Sequence, residues 1–307
     1  MALKQKGMVH NVRGNTQLTL TPPSEEGYVV RDIHIYNPSA DYVTINTGPG
    51  TVGYFRIGGT LGNHLPFIQE SDATPGHPPM TVLGLLEELG IFAGYPVPSG
   101  VEFSLTGVHQ ANALVEVVYD IYDESDVRAD LPNGPKANER VYVNYGNTGA
   151  SITTPATDDL DTQVNPSEFP DFPYDKAVPS LTQMDLLGIL ASTFAPVEND
   201  GTDYIGTQFL KLTKNQTIMA DKDRAGYLFE DPTDNVSTDN NVGEGYSIIG
   251  NYDTIDHKKP LLYDPPVEFG GGEKLLIQLT TAGGGSYQTI TTAEQEVGVI
   301  LRETRTA

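Results

Sequence analysis

Residues 28–36, YVVRDIHIY, set Val29, Arg31, Ile33 and Ile35 against Val30, Asp32, His34 and Tyr36. Successive side chains of an extended backbone point to opposite faces, so this run offers one mostly apolar face and one mostly polar face and suits a half-buried strand. Short runs of β-branched and aromatic residues, bounded by Gly, Pro, Asn or Asp, recur at 42–46, 53–57, 101–105, 113–122, 140–145, 207–212, 246–249, 273–280 and 296–302. Asn37-Pro38 and Gly48-Pro49-Gly50 are turn formers and break the first three runs into a meander. The expected class is all-β.

Two segments carry helical spacing instead. In 81–92, TVLGLLEELGIF, Val82, Leu85, Leu86 and Leu89 fall on one stripe; in 181–194, LTQMDLLGILASTF, Leu181, Met184, Leu187 and Leu190 do the same, with Ser180 placed to cap. Both are expected as short helices lying across a barrel end.

At 307 residues the chain has about twice the ~150 residues of an average domain. Residues 94–124 and 262–303 follow one plan: a Tyr/Pro-rich entry, a glycine, a strand, a loop, and a longer strand running to an acidic end. A closing hairpin that occurs twice indicates two similar domains. The polar stretch 126–139, with Pro132 and Gly134-Pro135, reads as the linker between a first domain at 25–125 and a second at 140–307. Residues 1–24 read as an N-terminal arm, and 146–180, rich in proline, as a long irregular segment inside the second domain.

Composition narrows the function. Lys plus Arg number 18 against 41 Asp plus Glu, a formal charge of −23, which repels polyphosphate and disfavours general nucleic-acid binding. The three charges within 1–24, Lys4, Lys6 and Arg13, are all basic, so this arm could face a lipid membrane or packaged genome, dock on the acidic body of a sibling copy, or be merely solvated. With no cysteine there are no disulfides, thiol nucleophiles or thiolate metal ligands. No apolar run reaches the ~18 residues of a spanning helix, and the first residues lack the apolar stretch of a secretory signal, so a soluble chain not exported by that route is expected.

Catalytic signatures do not emerge. The six histidines form no HxH or HExxH pair, GxSxG and GxxxxGK[ST] are absent, and Gly58-Gly59 and Gly270-Gly271-Gly272 lack the strand-then-helix setting of a phosphate cradle. His34, on the polar side of its strand, reads as a solvent-facing or interface residue. The runs 198–203 (ENDGTD) and 231–241 (DPTDNVSTDNN) hold oxygen ligands of the kind calcium prefers, but neither fits an EF-hand loop, and surface turns explain them as well; whether a metal binds stays open. No tryptophan is present to serve as a sugar platform. The chain is expected to be a non-enzyme needing no cofactor. Phe169, Phe172 and Tyr174, set between prolines in 166–179, form a stiff apolar strip that suits an inter-subunit contact or folds back on its own barrel.

Two β domains without catalytic signatures, with VVRDIHIYNPSADYVTINTGPGTVGYFRIGG at 29–59, VEFSLTGVHQANALVEVVYDIYDESDV at 101–127 and the second closing hairpin at 273–303, resemble the double jelly-roll major capsid proteins of tailless icosahedral viruses with an internal membrane. The resemblance is one of pattern along the whole chain. It implies two tandem jelly-roll domains with a few short helices and long loops, trimers that act as pseudo-hexagonal capsomers, and a place in the virion shell after assembly in the host cytoplasm. It further implies that 1–24 points inward and that 60–79 and 146–180 form towers or contacts between subunits. The alternative from another class is a receptor-binding spike or carbohydrate-binding β-sandwich module, with calcium in the Asp/Asn loops.

Overall fold

The computed structural model describes residues 2–36, 39, 42–56, 82–88, 90–123, 125, 127, 138–154, 156–164, 169–191, 203–221, 227–228, 261–285, 292 and 296–305. The expected strand at 246–249, the loops at 60–79 and 231–241, and most of 126–139 and 198–203 lie outside these residues. Among the described residues the protein is almost entirely β-strand, as its alternating runs require, and it divides into two compact units that meet in sequence between Val143 and Asn144.

The first unit contains β1 (Leu3–Arg13), β2 (Thr19–Leu20), β3 (Gly27–Tyr36), β4 (Tyr42–Thr47), β5 (Gly50–Arg56), α1 (Val82–Glu88), β6 (Tyr95–Val97), β7 (Phe103–Thr106) and β8 (Leu114–Tyr122). Its sheets run β1-β8-β3-β6 and β2-β7-β4-β5, and the pairings along both are antiparallel. Each sheet buries alternate residues: Ile33 and Ile35, Val43 and Ile45, Phe103 and Leu105, Val115 and Val117. The two buried faces meet directly, because a β-carbon on Gly53 of β5 would lie 2.7 Å from the Tyr95 hydroxyl of β6. Alternation lapses at one place in β3. The register against β8 shifts between Val30 and Asp32, leaving Arg31 as an extra residue, so Val29 and Val30 are both buried before the pattern resumes at Ile33.

The second unit contains β9 (Glu139–Asn147, which begins before the division), β10 (Thr157–Asp159), β11 (Thr162–Gln163), β12 (Thr182–Ala191), β13 (Asp203–Lys214), β14 (Thr217–Ala220), β15 (Tyr227–Leu228), β16 (Leu261–Phe269), β17 (Leu275–Gly285) and β18 (Val297–Arg305). Its sheets run β11-β9-β18-β12-β16 and β10-β17-β13-β14, with β15 pairing on β13. Apart from the two-residue strands β11 and β15, the second unit has eight described strands, numbered one to eight in chain order. The second unit then has the orders 1-8-3-6 and 2-7-4-5, which are also those of the first unit. The closing repeat legible at 94–124 and 262–303 is the sixth, seventh and eighth strands of each unit, β6-β7-β8 and β16-β17-β18.

Three expectations need correction. Residues 1–24 do not form a free arm: β1 pairs with β8 from Leu3 opposite Tyr122 to Arg13 opposite Leu114, and the Ala2 amide donates to Asp123 Oδ1 at 2.7 Å. The first sheet therefore needs residues that lie ahead of the expected domain start at 25. Residues 182–191 are not a helix but β12, held between β18 and β16. Positions 184–189 are buried without a break, so no alternation marks the strand, and Gly188 lies so close to the Leu261 carbonyl that a β-carbon there would stand 2.5 Å from it. Segment 146–180 is more ordered than its prolines suggest, since it carries β10, β11 and a close-packed turn at 169–178.

The other expected helix is present as α1, shorter than 81–92. It closes as a Schellman turn: Gly90, at φ 68°, donates to the Glu87 carbonyl at 2.9 Å and Ile91 donates to the Leu86 carbonyl at 2.9 Å. Leu83 and Leu86 face inward, and Ile91 and Phe92 are buried just beyond. Arg31 ties α1 to the sheet. Its Nη2 pairs with Glu87 Oε1, and its Nε stands 3.8 Å from Oδ2 of the buried Asp120, whose Oδ1 accepts from the Gly7 amide at 2.8 Å.

Candidate interaction surfaces

The aromatic strip at 166–179 is internal to the second unit. Phe169, Phe172 and Tyr174 are 3%, 0% and 1% exposed, so the expectation that they offer an exposed contact to a neighbouring subunit is overturned and the fold-back alternative holds. The cause is a polar clamp built on β9. Asn144 Nδ2 donates to the carbonyls of Pro170 at 2.8 Å and Phe172 at 2.6 Å, while its Oδ1 accepts from Gln163 Nε2 at 2.9 Å. The Tyr174 hydroxyl reaches the carbonyls of Asn144 at 2.9 Å and Val297 at 2.5 Å. The Asn144 contacts satisfy turn carbonyls that lie outside any strand ladder, and the Tyr174 contacts give its buried hydroxyl a partner, which lets the rings go under. Burial pushes the Tyr174 phenol well above its ordinary range, with the charge of Glu296 acting the same way.

Of the three basic residues of the expected arm, the structure engages one. Lys4 Nζ pairs with Glu26 Oε1. Lys6 and Arg13 have no partner among the described residues, and both sit on β1, which is an edge strand of its sheet. None of the eleven residues of β1 is buried, and Val9 is 54% exposed. A weak alternation in Met8, His10 and Val12, half-buried against exposed Val9, Asn11 and Arg13, is the signal that could have identified the strand.

His34 is half-buried beside Asp32, with Nε2 3.3 Å from Asp32 Oδ2, and it stands opposite Glu116 of β8. Burial pulls its pKa down, but the hydrogen bond to Asp32 and the charges of Asp32 and Glu116 outweigh that and raise it. His109 behaves in the opposite way. Its Nε2 accepts from the Leu18 amide at 3.2 Å, and burial dominates and lowers its pKa.

The second unit also bears an open groove of about 520 Å³ along 148–161. Its lining is hydroxyl and carboxylate in character: Thr148, Ser151, Thr154, Asp158, Asp159 and Asp161 are among the residues that form it. Among the described residues no three His, Asp or Glu side chains are grouped as a metal site, and the acidic loops considered for calcium lie outside them apart from Asp203.

No family model matches the chain, and no curated protein matches it. Among solved structures, the chain is similar to a peptide-N(4)-(N-acetyl-β-D-glucosaminyl) asparagine amidase at 9% identity and a TM-score of 0.33, over 98% of this chain and 97% of that one. It is also similar to an IolB-like protein from Salmonella typhimurium LT2 at 12% identity and a TM-score of 0.18, over 97% and 81%.

Proposed function

We propose that the chain is a structural coat subunit: a major capsid protein built of two jelly rolls that self-assembles, as pseudo-hexagonal trimers, into an icosahedral shell. The observation that carries this reading is the strand order found twice, 1-8-3-6 with 2-7-4-5. This order of strands in two sheets supports the jelly-roll reading, a two-sheet build that keeps free edges few and tolerates long loops at either end. Two copies in tandem give one chain two shell-building blocks of the same plan, and the sequence keeps the trace of that in its doubled closing hairpin.

The partners under this reading are sibling copies. Each basic residue near an anionic surface contributes about 1 kcal/mol, and with Lys4 occupied by Glu26 only Lys6 and Arg13 remain, too few for the strand to anchor a bilayer or a genome. The acid-rich remainder keeps the unassembled subunit soluble.

The groove along 148–161 favours one rival, a carbohydrate-binding or receptor-binding module, because hydroxyls and carboxylates are the groups that hydrogen-bond a sugar. Electron microscopy of the purified protein, with a glycan-array titration beside it, separates the two. Hexagonal-looking trimers or closed shells support the coat subunit; monomers with saturable glycan binding support the module.

A further inference from the structure

Sheet edges differ in how open they are to another chain. Among the described strands, β2 and β11 have two residues, β6 and β10 three, and β14 four. The nine-residue edge β16 carries Pro265 and Pro266, which cannot donate to a ladder. β5 has seven residues. β1 is the longest at eleven, with no proline, no buried residue and no described strand on its outer side. Its pairing with β8 is regular from Met8 to Arg13 and shifts twice before Met8. An added strand can follow only the regular part, whose exposed side chains are Val9, Asn11 and Arg13.

We propose that the Met8–Arg13 edge of one copy docks at the groove beside β10 of a second copy, with Arg13 paired to the carboxylates of Asp158, Asp159 and Asp161. This deepens the coat reading and rests on it. Charge selects the occupant. The edge is basic in a chain of net charge −23, whereas the groove is rimmed by three aspartates on one short stretch, so a sibling supplies the complement. Symmetric pairing of two Met8–Arg13 edges would instead offer Arg13 no acidic residue of the facing strand. Lys6 lies seven residues from Arg13, about 23 Å along an extended strand, so one end of the edge does the pairing; the Arg13 end has the regular ladder. The contact joins two different patches, the head-to-tail kind that makes a ring such as a trimer where its rotation closes and a filament where it does not.

Charge exchange within the full chain tests this by sedimentation velocity over a concentration series. Arg13→Glu alone, and Asp158→Lys with Asp159→Lys, are each expected to weaken self-association about tenfold or more. All three changes in one chain are expected to restore most of it, since two of the three carboxylates that face position 13 are then replaced by lysines, with Asp161 alone keeping its charge. Thermal melting verifies folding, and Arg13→Gln with Asp158→Asn and Asp159→Asn replace any reversal that does not fold; each is expected to weaken association. Assembly that is indifferent to Arg13→Glu, or a triple variant that melts normally but does not recover, overturns this contact and leaves the coat reading standing. A wild-type chain that is monomeric at every concentration overturns both.

Discussion

Gly146 of β9 lies against the ring of Tyr174, so closely that a β-carbon on the glycine would stand 2.4 Å from the ring carbons Cδ1 and Cε1. The residue type on the strand and the ring in the turn are thus one packing decision. The prolines around the ring fix the path of the turn, and the hydroxyl fixes its depth.

Gly146→Ala is expected to destabilise the protein by about 1–3 kcal/mol, because the ring is fully buried and has no room to withdraw. Tyr174→Phe keeps the ring but removes the one hydroxyl proton that the carbonyls of Asn144 and Val297 share, at a cost of about 1–3 kcal/mol. Urea denaturation followed by fluorescence measures both; a change under about 0.5 kcal/mol in each would contradict the clamp.

Asp185 on β12 and Arg302 on β18 are opposite each other, with Arg302 Nε and Nη2 donating to Asp185 Oδ2 at 3.0 and 2.8 Å. The carboxylate side chain is 7% exposed and the guanidinium 27%, so removing the cation strands a buried charge that, among the described residues, keeps only Gln183 as a side-chain donor. Arg302→Met is expected to cost about 3 kcal/mol, and Arg302→Met combined with Asp185→Leu less than that single change. A double variant less stable than Arg302→Met would show that the pair does more than compensate its own burial.

The two engaged histidines are expected to titrate on opposite sides of 6.5 in an NMR pH series, His34 above it and His109 below it. A raised pKa means that the folded state holds its proton more tightly. The contribution of His34 is therefore complete below 6.5 and fades as pH rises through its folded value. For His109 the sign reverses, and its share of stability is lost as pH falls below 6.5 towards its lowered value. His34→Gln should thus be less stable than the wild type in mild acid and converge with it in mild base.

The β16–β17 turn and the β13–β14 turn are joined through Glu273. Its carboxylate accepts from the Gly270 amide at 2.8 Å and from Asn215 Nδ2 at 3.0 Å, and it faces Lys214 Nζ at 3.2 Å. The Gly270 bond foremost, then Lys214 and Asn215, outweigh burial and hold this carboxyl below the usual range. The contribution is present above the unfolded value of about 4.5 and is lost as pH falls through the folded one. Glu273→Gln should therefore lower the melting temperature at pH 7 and much less at pH 3, by calorimetry.

What was legible in the residues followed from which faces each strand buries. YVVRDIHIY is half-buried, so its alternation survives apart from the Arg31 bulge, and β3 falls where the pattern puts it. β12 is buried at successive positions, and a continuous apolar run of that length carries no period to tell strand from helix. β1 failed for the opposite reason. It buries nothing, so Lys4, Lys6 and Arg13 looked like a solvated tail when they belong to a strand whose partner, β8, lies a hundred residues on. The aromatic strip was visible as a strip, but its direction depended on Asn144 and Gln163, whose reach to Pro170 and Phe172 no local pattern encodes.

The mass of the purified chain in solution tests self-assembly most directly. Native mass spectrometry over a concentration series is predicted to give a species of three times 33.2 kDa, growing into larger closed assemblies. A single 33.2 kDa species across the whole series would contradict it.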